Sequence, residues 1–371
     1  MILNKKRILF IFILFLIISL GLLMIYSASS VWAEYEYGTK FYYLNRQLIF
    51  FGIGLILFVI ISKIDYLYFK KYANMILLIC FISLILVLIP GIGIVRGGAR
   101  SWIGFGVFSI QPSEFMKVGI IIFTSKFLSN NEGILKKNKY FYLYCLFLGS
   151  IVGLIFLQPD FGSAVILLMS IIILLFIGQF QIKNIVIGGI FLIIGLVVLI
   201  LIAPYRMDRI TSFLDPWSDP LGSGFQIIQS LYAIAPASLF GYGLFNSKQK
   251  YFFLPEPAND FIYAIIVEEL GIFGGIAVIV LYATLIHIGY KLSLSCKDLF
   301  AKYLSFGITS LLMIQVFINI AVVIGLIPVT GVTLPLMSYG GSSLVINMIM
   351  MGILNNILKN ADKNIDFEYK I

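Results

Sequence analysis

The chain has 371 residues, 61% of them hydrophobic and 12% charged, with a formal net charge of +9 and a mean hydropathy of +1.05. That composition excludes a water-soluble globule, and no hydrophilic stretch is long enough to fold apart, so the sequence predicts an all-α polytopic membrane protein with one transmembrane domain over residues 1–371. Three cysteines without motif spacing and a single histidine leave no material for a disulfide framework or a His-based zinc site, and no GxxxxGK[ST] loop points to nucleotide-driven work.

Apolar runs near twenty residues predict ten spans, at about 8–26, 47–63, 73–90, 112–128, 141–158, 162–179, 183–203, 261–285, 303–327 and 339–358. The first follows Lys5, Lys6 and Arg7 and precedes small residues at Ser27–Ser30, as a signal peptide would. Its length and the spans behind it favour an uncleaved anchor. With the N-terminus inside, 17 of the 26 Lys and Arg residues face the cytoplasm, and the two sides carry about +11 and −2. The basic excess is then a topology signal, nucleic acid is not an expected partner, and both termini are cytoplasmic. Trp32, Trp102 and Trp217 all fall on the outer side. Two outer stretches are polar, about 91–111 and 204–260, and residues 360–371 read as a short polar tail.

Taken in order, the polar groups start with GIGIVRGGARSWIGFGVFSIQPSEFMK. Its glycines predict irregular backbone around Arg96 and Arg100. Pro112 and Ser113 look like a helix start, which puts Glu114 and Lys117 on one face, either toward a ligand or as an ion pair. Asp160, in LQPDFGS, is a helix cap or a substrate contact. Arg206 and Arg209 lie three apart at the membrane surface, suited to a phosphate headgroup by their guanidinium forks or to snorkelling onto ordinary lipid. LGSGFQIIQSLYAI reads as a short amphipathic helix, with Phe225, Ile228, Leu231 and Tyr232 apolar, that lies in the interface or re-enters the membrane. Then comes NSKQKYFFLPEPANDFIYAIIVEELG. Asn259 or Asp260 is placed to cap the eighth span. Glu268 sits about 12 Å deeper than Asp260 on the same face, at 1.5 Å per residue. Glu268 and Glu269 need partners in an apolar span, with Lys117, Arg100 and Lys250 as candidates. Near the end, Pro328, Gly331, Pro335, Gly340 and Gly341 interrupt two spans and bring Ser338, Tyr339, Ser342 and Ser343 to the outer level.

YSAS at 26–29, GARSWIGFGVFSIQPSEFMK at 98–117, QPDFGSA at 158–164, FLDPWSDPLGSGFQIIQSLYAI at 213–234, NSKQKYFFLPEPANDFIYAI at 246–265, EELG at 268–271 and GLIPVTGVTLPLMSYGGSS at 325–343 together resemble the signatures of the SEDS family (shape, elongation, division and sporulation). The resemblance covers nearly the whole chain. It implies a ten-helix membrane glycosyltransferase that polymerises lipid II outside the bacterial cytoplasmic membrane, working with a class B penicillin-binding protein. The essential acid of the LPE-x-x-x-D-F segment falls on Asp260, which the chemistry needs as a base toward the attacking sugar hydroxyl. Cations must meet the charge growing on the leaving pyrophosphate. Arg100, Lys117, Arg206, Arg209, Lys248 and Lys250 are the candidate clamp, with Glu114, Glu256, Glu268 and Ser338 on the substrate side. No cofactor is required by any motif, although a divalent cation, Mg2+ or Mn2+, could share the neutralisation. The NSKQK and LPEP wording is closer to the division and sporulation branch than to the elongation branch. Ala235–Ser238 and Phe245 depart from the family's glycine-rich pattern. A lipid II flippase and a noncatalytic scaffold for a transpeptidase are the competing readings.

Overall fold

An apolar segment in lipid must pair its own backbone polar groups, and a single chain segment does so as helix. The computed structural model describes residues 2–96, 98–105, 108–130, 138–178, 183–184, 186–190, 195 and 204–368. Helix occupies nine of the ten predicted spans; the seventh, 183–203, lies mostly outside the described residues. The helices are α1 (Ile2–Tyr37), α2 (Tyr42–Ile61), α3 (Leu67–Leu86), α4 (Pro112–Asn130), α5 (Asn138–Phe156), α6 (Phe161–Ile177), α7 (Pro204–Leu214), α8 (Phe225–Ile234), α9 (Ile262–Ser295), α10 (Leu299–Val323) and α11 (Gly341–Glu368). Among the described residues, six segments are long and apolar enough to cross a membrane: Lys5–Tyr37, Tyr42–Ile61, Leu67–Leu86, Ile262–Ser295, Leu299–Val323 and Gly341–Asn360.

α10 is central, packing on α4, α6 and α9, while α11 packs on α2 and α1 on α9. One buried apolar cluster runs from Phe10 in α1 to Leu358 in α11. α2 and α3 instead expose Ile53, Ile56, Ile60, Leu78 and Ile82, the faces a lipid bilayer would cover.

Several expectations are corrected. α1 continues past 26 to Tyr37, because its small residues stay helical: Ser29 Oγ donates back to the Ile25 carbonyl at 2.6 Å. α11 runs to Glu368 through the segment read as a polar tail, which contains no proline or glycine to stop it. The glycine-rich outer stretch is not irregular. It forms a three-stranded antiparallel sheet in the order β1 (Gly93–Arg96), β2 (Ala99–Phe105), β3 (Phe108–Ile110), with Gly93 opposite Ile103 and Ile103 opposite Ile110. α8 buries Ile227, Ile228, Ser230 and Ala233, and Ser230 Oγ donates to the Val323 carbonyl at the end of α10 at 2.7 Å. Its buried face thus turns onto protein, and Tyr232 is exposed.

The feature that places the outer loop is a break inside α9. Gly271 adopts φ 71°, ψ −171° within an otherwise helical run. The residues around the break pair with the loop. Tyr242 N–H donates to the Glu268 carbonyl and Gly243 N–H to the Glu269 carbonyl, both at 2.9 Å, while Ile272 and Phe273 donate to Ser238 and Leu239. The backbones come so close at Gly271 and Gly241 that a Cβ on Gly271 would stand 2.3 Å from the Leu239 oxygen. Gly271→Ala is therefore expected to cost about 3 kcal/mol or more, from a strained φ and a backbone clash together, read as a lowered melting temperature in detergent.

Candidate active site

Asp260 ends the long outer loop one residue before the N-cap of α9 closes. The helix starts at Ile262, with Phe261 at the N-cap position and no side chain capping it. Neither Asn259 nor Asp260 takes the predicted capping role, because the first helical turn forms on Phe261, whose carbonyl accepts from Ala264 N–H at 3.0 Å. Asn259 Nδ2 donates to Glu256 Oε2 instead. The Asp260 carbonyl accepts from Asn319 Nδ2 at 2.7 Å. Its carboxyl group is left half-buried, without the amide ladder that a cap would have engaged. Burial pushes that carboxyl up to about 7, and the negative Glu256 acts in the same direction. Its own backbone N–H and the Arg209 guanidinium oppose the shift.

Arg209 projects from α7 and donates from Nη1 to the Val329 carbonyl at 3.1 Å, remaining largely exposed. Arg206 lies on the same helix, and its side chain is outside the described residues. Glu256 is exposed and held at φ 52°. Asp260, Glu256 and Arg209 are thus the predicted site residues that interact electrostatically at one place.

The other acidic pair is closed off. Glu268 accepts from Ser247 Oγ at 2.5 Å, Lys248 N–H at 2.8 Å and Gln249 N–H at 3.3 Å. Glu269 accepts from Ser27 Oγ at 2.6 Å, Phe245 N–H at 3.0 Å and Ser247 N–H at 3.2 Å, and pairs with Lys250 Nζ at 3.5 Å. Lys250 Nζ also donates to the Phe245 carbonyl at 2.5 Å. The NSKQK segment therefore wraps two membrane carboxylates and satisfies them. Glu268 and Lys250, expected beside the substrate, are 1% and 3% exposed; the cost of burying charge unpaired is what keeps the loop closed over them. Lys248 stays exposed, its Nζ 4.5 Å above the Tyr242 ring.

The remaining predicted residues stand elsewhere. Lys117 and Glu114 form an ion pair at 2.7 Å, both buried, so the ion-pair alternative is the one realised, and no bond among the described residues joins them to Asp260. Arg100 Nη1 reaches the Leu88 carbonyl at 3.5 Å. Ser338 is buried and closes a turn, its Oγ accepting from Leu334 N–H at 2.9 Å. Asp160 caps α6 through Ser163 N–H at 3.1 Å and also accepts from Gln111 Nε2 at 2.9 Å and Ser113 Oγ at 2.8 Å. Ser238 and Phe245, where the glycine pattern is broken, adopt φ 51° and φ 67°, the left-handed region that glycine enters without strain. Phe245 is steadied by Tyr26, ring to ring at 5.7 Å. Asn319 is not singled out by the sequence analysis, and Ser27 and Ser247 enter it only within the YSAS and NSKQK stretches; a polar residue within an apolar run is the signal that marks Asn319 and Ser27.

A family model described as a cell cycle protein, of the FtsW, RodA and SpoVE group, matches residues 7–363. The chain belongs to this family. It is 47% identical over 355 residues to stage V sporulation protein E of Bacillus subtilis, covering 95% of this chain and 97% of that one. It is 40% identical over 346 residues to the probable peptidoglycan glycosyltransferase FtsW of Coxiella burnetii, covering 92% and 93%. Among solved structures, a chain from work on the structural coordination of polymerization and crosslinking by a peptidoglycan synthase complex matches with a TM-score of 0.78 and 29% identity, over 95% of this chain and 97% of that one. The rod shape determining protein RodA of Thermus thermophilus matches with a TM-score of 0.70 and 25% identity, over 95% and 96%. The identities to the sporulation and FtsW relatives exceed that to RodA, in keeping with the branch read from NSKQK and LPEP. The FtsW/RodA/SpoVE fold is an all-α multi-pass membrane fold here, and the helices above are its frame.

Within that frame the Lys250–Glu269 pair is the buried ionic contact of the loop. Lys250→Met leaves a carboxylate without its cation and is expected to cost about 3 kcal/mol, whereas Lys248→Met, at the exposed neighbour, is expected to change stability by no more than about 0.5 kcal/mol. Thermal unfolding of the two variants in one detergent compares them directly.

Proposed function

We propose that this chain is a peptidoglycan glycosyltransferase that polymerises lipid II on the outer face of the bacterial cytoplasmic membrane, with Asp260 as the general base. The observation that carries the proposal is the Asp260 carboxyl: it caps no helix, is half-buried, and lies under the opposed influence of Glu256 and Arg209. The enzymatic part is supported by relatives about 40% identical that are named peptidoglycan glycosyltransferases. The transpeptidase partner is proposed as a class B penicillin-binding protein, supported by the likeness to a chain of a peptidoglycan synthase complex. The Lys and Arg distribution supports cytoplasmic termini and an outer Asp260.

In this reading the acceptor sugar hydroxyl gives its proton to an Asp260 oxygen as its own oxygen bonds to the anomeric carbon of the donor. The bond from that carbon to the pyrophosphate breaks, and undecaprenyl pyrophosphate leaves with the electron pair. A carboxyl near 7 suits this work, since a base is most effective with a pKa near the working pH. Arg209, Lys248 and Arg206 are the cations of the outer loop proposed to meet the pyrophosphate charge. Among the described residues no three of His, Cys, Asp and Glu gather as a metal cage. A divalent cation such as Mg2+ would be held largely by the substrate's own phosphates and water.

The test uses the full chain co-purified with a class B penicillin-binding protein and supplied with lipid II. Wild type is expected to make glycan polymer and Asp260→Asn to make none; polymer from Asp260→Asn at the wild-type rate removes Asp260 as base, and lipid crossing without polymer replaces the enzyme by a transporter. The pH dependence has a definite sign. Only the deprotonated carboxylate accepts a proton, so kcat/KM is expected to rise with pH through about 7 and level off above it. Glu256→Gln removes the charge that raises the carboxyl, so the acid limb is expected at lower pH. Arg209→Gln removes the charge that lowers it, so the limb is expected at higher pH. Rate profiles from pH 5 to 9 for the three proteins check both directions.

A further inference from the structure

Asn319 stands four residues before the end of α10 and is 1% exposed within an apolar span. A polar side chain at such a place is costly unless it is engaged. Both protons of its amide are engaged: Nδ2 donates to the carbonyl oxygens of Asp260 and Val332, each at 2.7 Å. Its Oδ1 is buried without a partner among the described residues. Turning the amide over would set that oxygen against two carbonyl oxygens, so its donors dictate its orientation.

The two carbonyls belong to the two segments that meet at the candidate site. Asp260 leads into α9. Val332 lies three residues beyond Val329, whose carbonyl accepts from Arg209. The same segment returns to the approach of α9 farther on, where Tyr339 N–H donates to the Ala258 carbonyl at 2.8 Å. Asn319 thus joins, from inside the membrane, the backbone carrying the carboxylate and the backbone that anchors the nearby guanidinium. With its carbonyl held, the Asp260–Phe261 peptide plane is fixed, and the rotations left to the Asp260 Cα–Cβ bond are narrowed.

We propose, resting on the reading of Asp260 as base, that Asn319 is a positioning residue for glycosyl transfer: its amide holds the Asp260 main chain against the Val329–Val332 segment and so sets where the carboxylate stands relative to Arg209 and the attacking hydroxyl. Asn319 touches no reacting atom. Its loss leaves the base, the cations and the substrate-facing surface in place but lets the carboxylate drift, and a displacement of about 1 Å is enough to cost up to about a hundredfold in rate. The effect falls on kcat rather than KM. Because the carboxylate's distances to Glu256 and Arg209 change as well, the acid limb of the rate profile moves.

The experiment compares Asn319→Leu, similar in volume and without donors, and Asn319→Asp, the same shape without the two N–H donors, in the full chain with its penicillin-binding protein and lipid II. Expected are kcat lowered about tenfold in both, KM for lipid II within about twofold of wild type, and an acid limb displaced by about half a pH unit, with an unchanged elution profile and a lowered melting temperature, because two buried carbonyls lose their donors. If Asn319→Leu does not fold, Asn319→Gln carries the test: its longer arm keeps both donors but shifts the Asp260 carbonyl, and the same kcat loss with a displaced limb is expected. Folded variants with a wild-type kcat and profile overturn the proposal, as does a loss that is uniform across pH and accompanied by a raised KM. Asp260→Asn is assayed alongside. Activity retained there sinks the base assignment itself, whereas an inactive Asp260→Asn beside wild-type Asn319 variants sinks only the positioning role.

Discussion

A helix that breaks inside a membrane exposes carbonyl and N–H groups that hydrocarbon cannot satisfy. The break at Gly271 is where this protein answers that demand, and the outer loop follows from the answer. The carbonyls of Glu268 and Glu269 accept from Tyr242 and Gly243, and the amides of Ile272 and Phe273 turn to Ser238 and Leu239. The loop between α8 and α9 is thereby pulled in beside the helix. Once there, it brings the hydroxyl of Ser247 and the amides of residues 245 and 247–249 to the two carboxylates. Backbone satisfaction fixes the path, and charge satisfaction then locks it.

The same logic separates structural acids from an available one. Glu268 and Glu269 have their oxygens surrounded by donors and are sealed from outside. Asp160 is shared among a backbone amide, an amide side chain and a hydroxyl. Asp260 differs because its main chain is held while its carboxylate caps nothing. A carboxylate whose acceptors are already filled has little use as a base. One that is desolvated yet uncommitted has the basicity and the lone pair that proton abstraction needs.

Hydropathy made the helices legible, because runs such as Ile8–Leu20 and Leu304–Val323 have few other ways to exist in lipid. It was less informative where glycine is dense. Residues 91–110 read as irregular, although glycine there permits tight strand turns and the pairing partners lie only a few residues away. The cap at Asp260 was a reasonable expectation from Asn-Asp before an apolar run, and the helix simply starts later, with Asn259 turned to Glu256. Spacing showed that Glu268 and Glu269 needed partners and included Lys250 among the candidates. It could not show that most of those partners are backbone amides, since amides carry no sequence signature. Lys117 and Arg100, equally charged and equally plausible on paper, are occupied by Glu114 and directed toward the Leu88 carbonyl. The resemblance supplied Asp260; residue pattern alone favours a helix cap there.

The contact between Ser27 and Glu269 spans 242 positions of sequence. Ser27 belongs to α1, and Glu269 belongs to α9, which is synthesised after α1–α8. Until then the first helix lacks its acidic partner, and the 245–250 segment has no carboxylates to wrap. The outer knot consequently cannot close before α9 has been synthesised, and a nascent chain stopped short of α9 lacks both of the carboxylates that the loop wraps. Insertion and acquisition of the working geometry are thus separable, the second waiting on a hydroxyl and a carboxylate 242 positions apart.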